Sequence, residues 1–350
     1  MSLLPGKLPP EALARLLATV PAADPRVLLG PGIGRDAAVL DLGDGRVLVA
    51  KMDPVTFATD EIGRYAVAVN ANDVACMGAR PAWFLATALL PEGADQALAE
   101  AIFAQIVAAC QEAGAELIGG HTEITVGLDR PILSGAMLGE AARDEIVTGE
   151  DIAPGDLVLM TGAVAVEGTA LLARECAPVL RAAGVDAATI AAARRLLFDP
   201  GISIVRAARA IAGATRPRLM HDPTEGGIAT ALHELASATR MTLRIDPGAI
   251  DVLPETQAIC AALALDPLGL LASGSLLVVV PAADGPRVAS ALTEVSGGCR
   301  VLGRVEEGEG RVIMDGEDSA PLVSFPRDEL ARFFEQQARS DNGPSIRKDR

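Results

Sequence analysis

The residues best suited to chemistry in this sequence lie in a stretch of small apolar residues, 60–81. Asp60 favours the start of a helix, since a carboxylate caps the first backbone N–H groups, and Gly78 favours its end. Inside this predicted helix the chain reads Asn70-Ala71-Asn72-Asp73. Asn and Asp are poor helix-interior residues because their side chains compete for backbone hydrogen bonds. The run therefore indicates a cation or ligand site, and the alternative is a capped helix with a solvated polar face.

Two further carboxylates stand at the ends of predicted strands. Asp36 is the only acidic residue of the glycine-rich loop 28–36 and immediately precedes an apolar strand. Asp53 follows the predicted strand 46–52, the position where α/β proteins place ligand groups. A turn aspartate before proline is the alternative for Asp53. Oxygen ligands of this kind suit Mg²⁺, which in turn holds phosphate oxygens.

The segment Gly119-Gly120-His121-Thr122-Glu123 follows a predicted strand, 115–118. The paired glycines allow a ligand to approach the backbone closely. His121 is one of three histidines in the chain, and a strand-end position favours a functional role for it over a structural one.

A loop in the second half, residues 219–227, reads LMHDPTEGG and precedes a predicted helix. Backbone N–H groups at a helix N-terminus, two glycines and a threonine hydroxyl form a suitable anion site. Asp222 is interpreted here as a ligand contact, and the alternative is a helix cap.

Composition narrows the classes of function. The chain has 350 residues, a formal charge of −16 and a pI near 4.7, which argue against nucleic acid or an anionic membrane as partner. No apolar run approaches the length of a membrane span and no secretory pattern opens the sequence, so we expect a cytoplasmic protein. The five cysteines are scattered and predicted to be reduced and buried.

Alternating strands and helices predict an α/β (α+β) protein of two domains, 1–150 and 151–335, with a flexible tail at 336–350. Half of the residues are hydrophobic but only 3% are aromatic, which favours close packing of helices on sheets. A P-loop is excluded because GxxxxGK[ST] does not occur, and no GxGxxG opens a helix.

With these residues in view, the chain resembles the aminoimidazole ribonucleotide (AIR) synthase superfamily, and most of all its hydrogenase-maturation dehydratases. The resemblance covers residues 6–330. It is carried by five motifs in order: Gly34–Val39, Met52-Asp53, Val69–Ala79, Gly119–Thr122 and Asp222–Gly227. It implies a first domain that gives a four-stranded half-barrel to a homodimer, a second α/β domain, and ATP with magnesium along the interface.

The implied reaction is transfer of the ATP γ-phosphoryl group to an oxygen, often of an amide or carbonyl, on a small molecule or a protein. Such chemistry needs positioning and charge neutralisation more than a protein nucleophile. The residues assigned by the resemblance are Asp73 and His121 as catalytic residues, Asp36, Asp53 and Asp73 as magnesium ligands, and Asp36, Asp53, Asn70, Asn72, Gly120, Thr122, Asp222, Glu225 and Gly226 as cofactor contacts.

The sequence departs from the maturation dehydratases in three places. It ends SIRKDR, whereas those proteins carry the reacting thiol on a C-terminal cysteine, and residues 162–168 lack their Gly-Asp-His run. The usual Asp after the Gly-Gly pair is His121 here, which resembles the selenophosphate synthetases. The acceptor therefore stays open between thiamine monophosphate, a purine-pathway amide and a modified residue of a maturation partner protein. The rival hypothesis is a nucleotide-binding scaffold that has lost turnover.

Overall fold

The computed structural model describes residues 8–21, 24–32, 35–316 and 319–341, so Gly34 of the first motif lies outside the described residues. The helices are α1 Pro10–Leu17, α2 Ile62–Cys76, α3 Gln96–Ala113, α4 Val166–Glu175, α5 Ala177–Ala182, α6 Ala187–Arg195, α7 Val205–Ala214, α8 Gly227–Thr239, α9 Pro254–Leu263, α10 Gly285–Ser296 and α11 Glu329–Asp341.

The strands of these residues form two sheets. The first contains β1 Val27–Leu29, β2 Ala38–Gly43, β3 Arg46–Val55, β4 Arg80–Pro91, β5 Glu116–Thr125 and β6 Ile132–Ala142. The second contains β7 Leu157–Thr161, β8 Leu219–His221, β9 Thr242–Ile245, β10 Leu276–Val280, β11 Arg300–Glu306 and β12 Val312–Met314.

The first sheet has the strand order β1-β2-β3-β6-β4-β5, with β4 and β5 parallel and the other neighbours antiparallel. Helices α2 and α3 cover one of its faces. Lys51 and Asp53 alternate with the exposed Met52 along β3, because successive side chains of a strand point to opposite faces. Lys51 contacts the buried Asp73 of α2, so Lys51 and Asp53 lie on the face that the helices cover.

Two details of this sheet differ from the prediction. It has six strands rather than four, because the short β1 and β2 pair at its edge, where the sequence indicated only the start of a strand. The Gly119–Glu123 segment lies inside β5 rather than after it, since the parallel pairing with β4 continues to Thr125.

The second sheet has the order β12-β9-β11-β7-β10-β8. Its inner strand β10, LLVVV, is buried at every position, as expected for a strand covered on both faces. The two sheets and their helices confirm the predicted α/β class. The first sheet ends at Ala142 and the second begins at Leu157. The predicted domain division near residue 150 falls between them and stays a prediction.

Helix α2 joins the two halves. Nearly all of its residues are buried, and Ala66 and Val74 share one apolar cluster with Ile204 and Ile211 of the second half. The sequence predicted that Asp60 caps its N-terminus, and this prediction is wrong. The carboxylate of Glu175 accepts the backbone N–H groups of residues 59 and 60 instead, and Asp60 pairs with Arg174 at 2.7 Å.

The prediction that a flexible tail begins at residue 336 is wrong for its first residues, because they belong to helix α11. The helix continues to Asp341, and the ring of Phe334 stacks on Phe57 of the first half at 5.7 Å. The rest of the predicted tail, 342–350, lies outside the described residues. Over the described ranges, the longest apolar helices fall short of what is needed to cross a membrane.

Candidate functional site

The centre of the candidate site is an ion pair between α2 and β3. The Lys51 Nζ lies 2.8 Å from a carboxylate oxygen of Asp73 and 3.1 Å from one of Asp53. Asp73 is almost completely buried, with 6% of its side chain exposed, whereas 45% of the Asp53 side chain is exposed. The pair therefore connects the protein interior with an open surface.

Burial and charge act in opposite directions on these groups. Burial raises the pKa of Asp73, and the Lys51 ammonium opposes that shift. Burial lowers the pKa of Lys51, but the carboxylates of Asp73 and Asp53 outweigh it and hold that pKa above its usual value. Lys51 consequently stays charged at neutral pH.

The two asparagines of α2 hold this geometry in place. The Asn70 amide accepts the backbone N–H of Asp53 at 2.8 Å and donates to the Asp53 carbonyl at 3.2 Å. The Asn72 amide donates to the Ile202 carbonyl and accepts the Ile204 N–H, both at 2.9 Å. Both side chains are fully buried, so their observed role is to fix β3 and the second half against α2. Direct cofactor contact by Asn70 or Asn72 stays a prediction.

The second half contributes Asp222 and His221 from the end of β8. The Asp222 carboxylate accepts a hydrogen bond from Asn72 at 2.9 Å, and its other oxygen lies 4.0 Å from the Cys76 Sγ. The His221 Nδ1 lies 2.9 Å from the Asp36 carboxylate. The structure therefore brings together Asp36, Asp53, Asp73, Asn70, Asn72 and Asp222 of the predicted set.

The Asp36 pairing controls the charge of His221. Burial lowers the pKa of His221, but the Asp36 carboxylate outweighs that effect and raises it to about 9. Burial raises the pKa of Asp222, and His221 opposes that shift. At neutral pH the cluster thus presents an imidazolium and an ammonium among carboxylates.

The predicted magnesium ligands do not form a ready metal site. Carboxylate oxygens have the right chemistry for a hard cation, but the Lys51 ammonium lies between Asp53 and Asp73. Among the described residues, no three His, Cys, Asp or Glu side chains are grouped as metal ligands would be. The residues as arranged hold the Lys51 ammonium rather than a metal ion.

The β5 part of the predicted site is separate from this cluster within one chain. His121 is 63% exposed, and its Nε2 pairs with Glu123 at 3.0 Å. Gly120 of β5 pairs with Ala86 of β4, Ala86 pairs with Gly135 of β6, and Gly135 pairs with Asp53 of β3. Gly120 and Asp53 are therefore the two ends of one row across the sheet. Three inter-strand spacings separate the ends of that row, about 14 Å.

The structure gives Gly120 a packing role. A Cβ at this position would lie 1.9 Å from the Ala86 carbonyl oxygen, so the close approach of β4 requires glycine. Gly120, His121 and Thr122 line a cavity of about 410 Å³ between the sheet and α3, together with Phe103. Ligand contact by these three residues stays a prediction.

The predicted anion site at the start of α8 already holds a carboxylate of the chain. The Gly226 N–H donates to Asp328 at 2.6 Å, and the Leu330 N–H donates to the other oxygen at 2.7 Å. Burial raises the pKa of Asp328 to about 7, and the nearby Glu225 charge adds to the rise. Contact of Glu225 or Gly226 with a cofactor stays a prediction.

Sequence reasoning missed Lys51, His221 and Asp328. The signal for Lys51 was present, because residues two apart on a strand share a face and Lys51 precedes Asp53 by two. His221 adjoins the predicted Asp222, but its partner Asp36 is 185 residues away in sequence. No local pattern indicates that pairing or the contact of Asp328.

Comparison with known proteins was made on sequence and on structure. The sequence model described as "AIR synthase related protein, N-terminal domain" matches residues 34–141, and the one described as "AIR synthase related protein, C-terminal domain" matches residues 153–315. The carbamoyl dehydratase HypE of Cupriavidus necator is 31% identical over 293 residues, which cover 81% of this chain and 78% of that protein.

Two solved structures show how far the fold is shared. The hydrogenase maturation protein HypE in complex with ATP has a TM-score of 0.69 at 25% identity, covering 92% of this chain and 96% of that chain. The thiamine monophosphate kinase from Aquifex aeolicus has a TM-score of 0.65 at 19% identity, covering 87% of this chain and 95% of that chain. The second likeness shows the fold alone.

Proposed function

Because this chain belongs to the AIR synthase-related family, we propose that it is an ATP-dependent enzyme that transfers the γ-phosphoryl group to the oxygen of an amide, and specifically of a carbamoyl group. The HypE relative named a carbamoyl dehydratase supports the acceptor class. The HypE structure in complex with ATP supports the nucleotide.

One observation carries the proposal. In a chain with a net charge of −16, two cations, Lys51 and His221, are held by three carboxylates where the two halves meet. An anionic polyphosphate entering so acidic a protein requires fixed positive charge, and preorganised charge is what phosphoryl transfer needs from a protein. His221 and Lys51 offset part of the charge of the surrounding carboxylates, Mg²⁺ bound to the nucleotide would supply the remaining positive charge, and the buried Asn72 fixes the position of Asp222.

The proposed reaction balances without a protein nucleophile. The carbamoyl oxygen takes the γ-phosphoryl group from ATP and releases ADP. Departure of that oxygen as inorganic phosphate, with loss of the two N–H protons, leaves a carbon–nitrogen triple bond. Mg²⁺ bound to the nucleotide would neutralise polyphosphate charge in such a step.

We propose that the acceptor group belongs to another molecule and not to a cysteine of this chain. The cysteines Cys76, Cys110, Cys176 and Cys260 are buried, as predicted from the sequence, whereas Cys299 is only half-buried. Burial raises the pKa of the Cys110 thiol to about 11 and of Cys260 to about 12, which leaves them poorly reactive. We propose a small carbamoyl compound or a carbamoylated residue of a maturation partner as the acceptor.

The test is a product screen with the full chain, MgATP and candidate acceptors. Thiocarbamates and carbamoylated cysteine peptides represent the proposed class, and thiamine monophosphate represents the kinase alternative. We expect ADP, phosphate and a nitrile or thiocyanate product in equal amounts with the first class. ADP formed only with thiamine monophosphate would establish the kinase instead.

The scaffold hypothesis has one observation in its favour, the Asp328 carboxylate that fills the predicted anion site at Gly226. It predicts MgATP binding by calorimetry without ADP release for any acceptor. ADP release by the unaltered chain with any of the acceptors would rule the scaffold out.

We also propose a homodimer that covers the open face and edge of the first sheet. Met52 is 65% exposed on that face, and Ile118 and Ile124 are exposed on the edge strand β5. An uncovered apolar edge strand favours pairing with a second copy. Light scattering of the full chain should give the mass of two chains, and Ile124→Lys should give one. A monomer at micromolar concentration for the unaltered chain would contradict the dimer.

A further inference from the structure

Lys51 has an unusual position for a lysine. Its ammonium contacts the buried Asp73 and the half-exposed Asp53, and only 15% of its side chain is exposed. Lysine is almost never buried to this degree unless it is paired. Here both pairings are within hydrogen-bond distance, so the ammonium occupies the space between two carboxylates.

Composition makes the choice of lysine informative. The chain has 3 lysines and 27 arginines, since 30 basic residues include Lys7, Lys51 and Lys348. Arginine presents a broad planar fork, whereas the lysine ammonium is a compact point charge with three donors. A compact cation between two carboxylates has the shape and charge pattern of a bound metal ion.

The surrounding structure fixes this arrangement. Asn70 holds the backbone of Asp53 through two hydrogen bonds, and Asp53 pairs across β3 and β6 with Gly135. A Cβ at Gly135 would lie 3.0 Å from the Asn70 amide nitrogen and closer still to Phe84, so that site is tightly packed. The two carboxylates thus stay near the ammonium by packing and not only by attraction.

A divalent ion placed between the same oxygens would face the ammonium at a few ångströms. Like charges this close repel strongly when they are partly buried, because water screens them less. We propose that Lys51 is a resident cation that takes the place of a metal ion between Asp53 and Asp73, so that this site binds no divalent metal in the absence of nucleotide. The relevance of this site to nucleotide binding rests on the proposed function.

The proposal is tested with Mn²⁺ alone, counted by the electron paramagnetic resonance signal of the free ion during titration of the full chain without nucleotide. We expect no binding below roughly millimolar Mn²⁺ for the unaltered chain. Lys51→Met should create a site at least about tenfold tighter, because two carboxylates then lack a counter-charge. Lys51→Arg should behave like the unaltered chain.

Arg46→Met is the matched control, because Arg46 also lies on β3 and pairs with a carboxylate, that of Glu140 at 3.7 Å, but is well exposed. It should leave Mn²⁺ binding unchanged. A gain of equal size in Arg46→Met would show a general charge effect and overturn the proposal.

Stability supplies a second readout for Lys51→Met. The variant should unfold at a lower temperature than the unaltered chain in EDTA and recover with Mn²⁺, while Arg46→Met shows no recovery. If Lys51→Met does not fold, the unaltered chain and Asp53→Asn decide the question. Tight Mn²⁺ binding without nucleotide that is lost in Asp53→Asn would overturn the proposal.

The two proposals fail separately. The metal titration contains no ATP, so its outcome is independent of turnover. Absence of ADP release with every acceptor would remove the proposed function while leaving the result for Lys51 intact.

Discussion

The cluster around α2 and the edge strand β5 are two parts of one predicted site, and the protein treats them differently. Asp73, Asn72 and Asp222 are buried and bonded to both halves of the chain. His121 and Thr122 lie on an exposed strand, and His121 pairs only with a neighbour on the same strand among the contacts observed. Packing within one chain fixes the side chains of the first region. The side chains of the second region are exposed in the single chain and would be fixed only by a second molecule that covers them.

The largest expected contrast is in turnover. Asp73→Asn removes the buried charge that orders Lys51, and loss of one such preorganised electrostatic group costs roughly 10²–10³-fold in kcat. His121→Asn should cost less, about tenfold, since an exposed side chain is less constrained. Steady-state ADP release at saturating MgATP measures both. Equal losses in the two variants would remove the distinction between the regions.

Stability should show the same contrast. Asn72→Ala leaves the Ile202 carbonyl and the Ile204 N–H unpaired at the junction, and unpaired buried groups cost about 1–3 kcal/mol each. We expect a loss of about 2–6 kcal/mol in the free energy of unfolding by urea. Thr122→Ala, on the exposed strand, should change it by less than about 0.5 kcal/mol. A small effect of Asn72→Ala would mean that the junction is not held by this amide.

Asp328, a buried carboxyl beside Gly226 and outside both regions, extends the contrast between buried and exposed groups to pH. The folded-state pKa of Asp328, about 7, lies above its ordinary value of 3.8 because of burial. A raised pKa favours the folded state below the ordinary value, and that contribution is lost as the pH rises through the folded value. Asp328→Asn is neutral at every pH, so its stability relative to the unaltered chain should increase between about pH 4 and pH 7, by up to about 4 kcal/mol.

Glu123 on β5 is the control for that experiment. The His121 side chain lowers the pKa of Glu123, so the shift has the opposite direction and the group is solvent-exposed. Glu123→Gln should therefore show no gain in stability over the same pH range. If the stability of Glu123→Gln relative to the unaltered chain also increased with pH, the trend would not be a property of buried carboxyl groups.

The smallest expected effect comes from mixing two chains of reduced activity. If β5 completes the site of the partner subunit, a dimer of Asp73→Asn with His121→Ala contains one intact site out of two. Random mixing should then restore about a quarter of the unaltered activity, because about half of the dimers are mixed. Activity no higher than that of the separate variants would place His121 outside any shared site.

Prediction from sequence succeeded where the pattern is local. The α2 segment and its Asn-Ala-Asn-Asp run were identifiable because polar residues inside a buried apolar helix need a reason. The short strand β1 was missed because three residues give no clear period, and the parallel pairing that draws Gly120 and His121 into β5 is non-local.

The parts of the site that stayed hidden are long-range pairs. Asp36 with His221 and Asn72 with Asp222 join residues far apart in sequence, and only the packing of the two halves brings them together. Lys51 differs from these pairs, because its spacing of two from Asp53 was a usable signal that was outweighed by the ordinary exposure of a lysine on a strand. Its burial between two carboxylates depends on the position of α2.

The most direct test of the account is calorimetric titration of MgATP into the full chain, its Asp73→Asn variant and an Asp41→Asn control, whose carboxylate forms an exposed ion pair with Arg143 at 2.9 Å. We predict one nucleotide site per chain, affinity reduced at least about tenfold in Asp73→Asn, and no change in Asp41→Asn. Unchanged MgATP affinity in Asp73→Asn would contradict the placement of the phosphoryl-transfer site at α2.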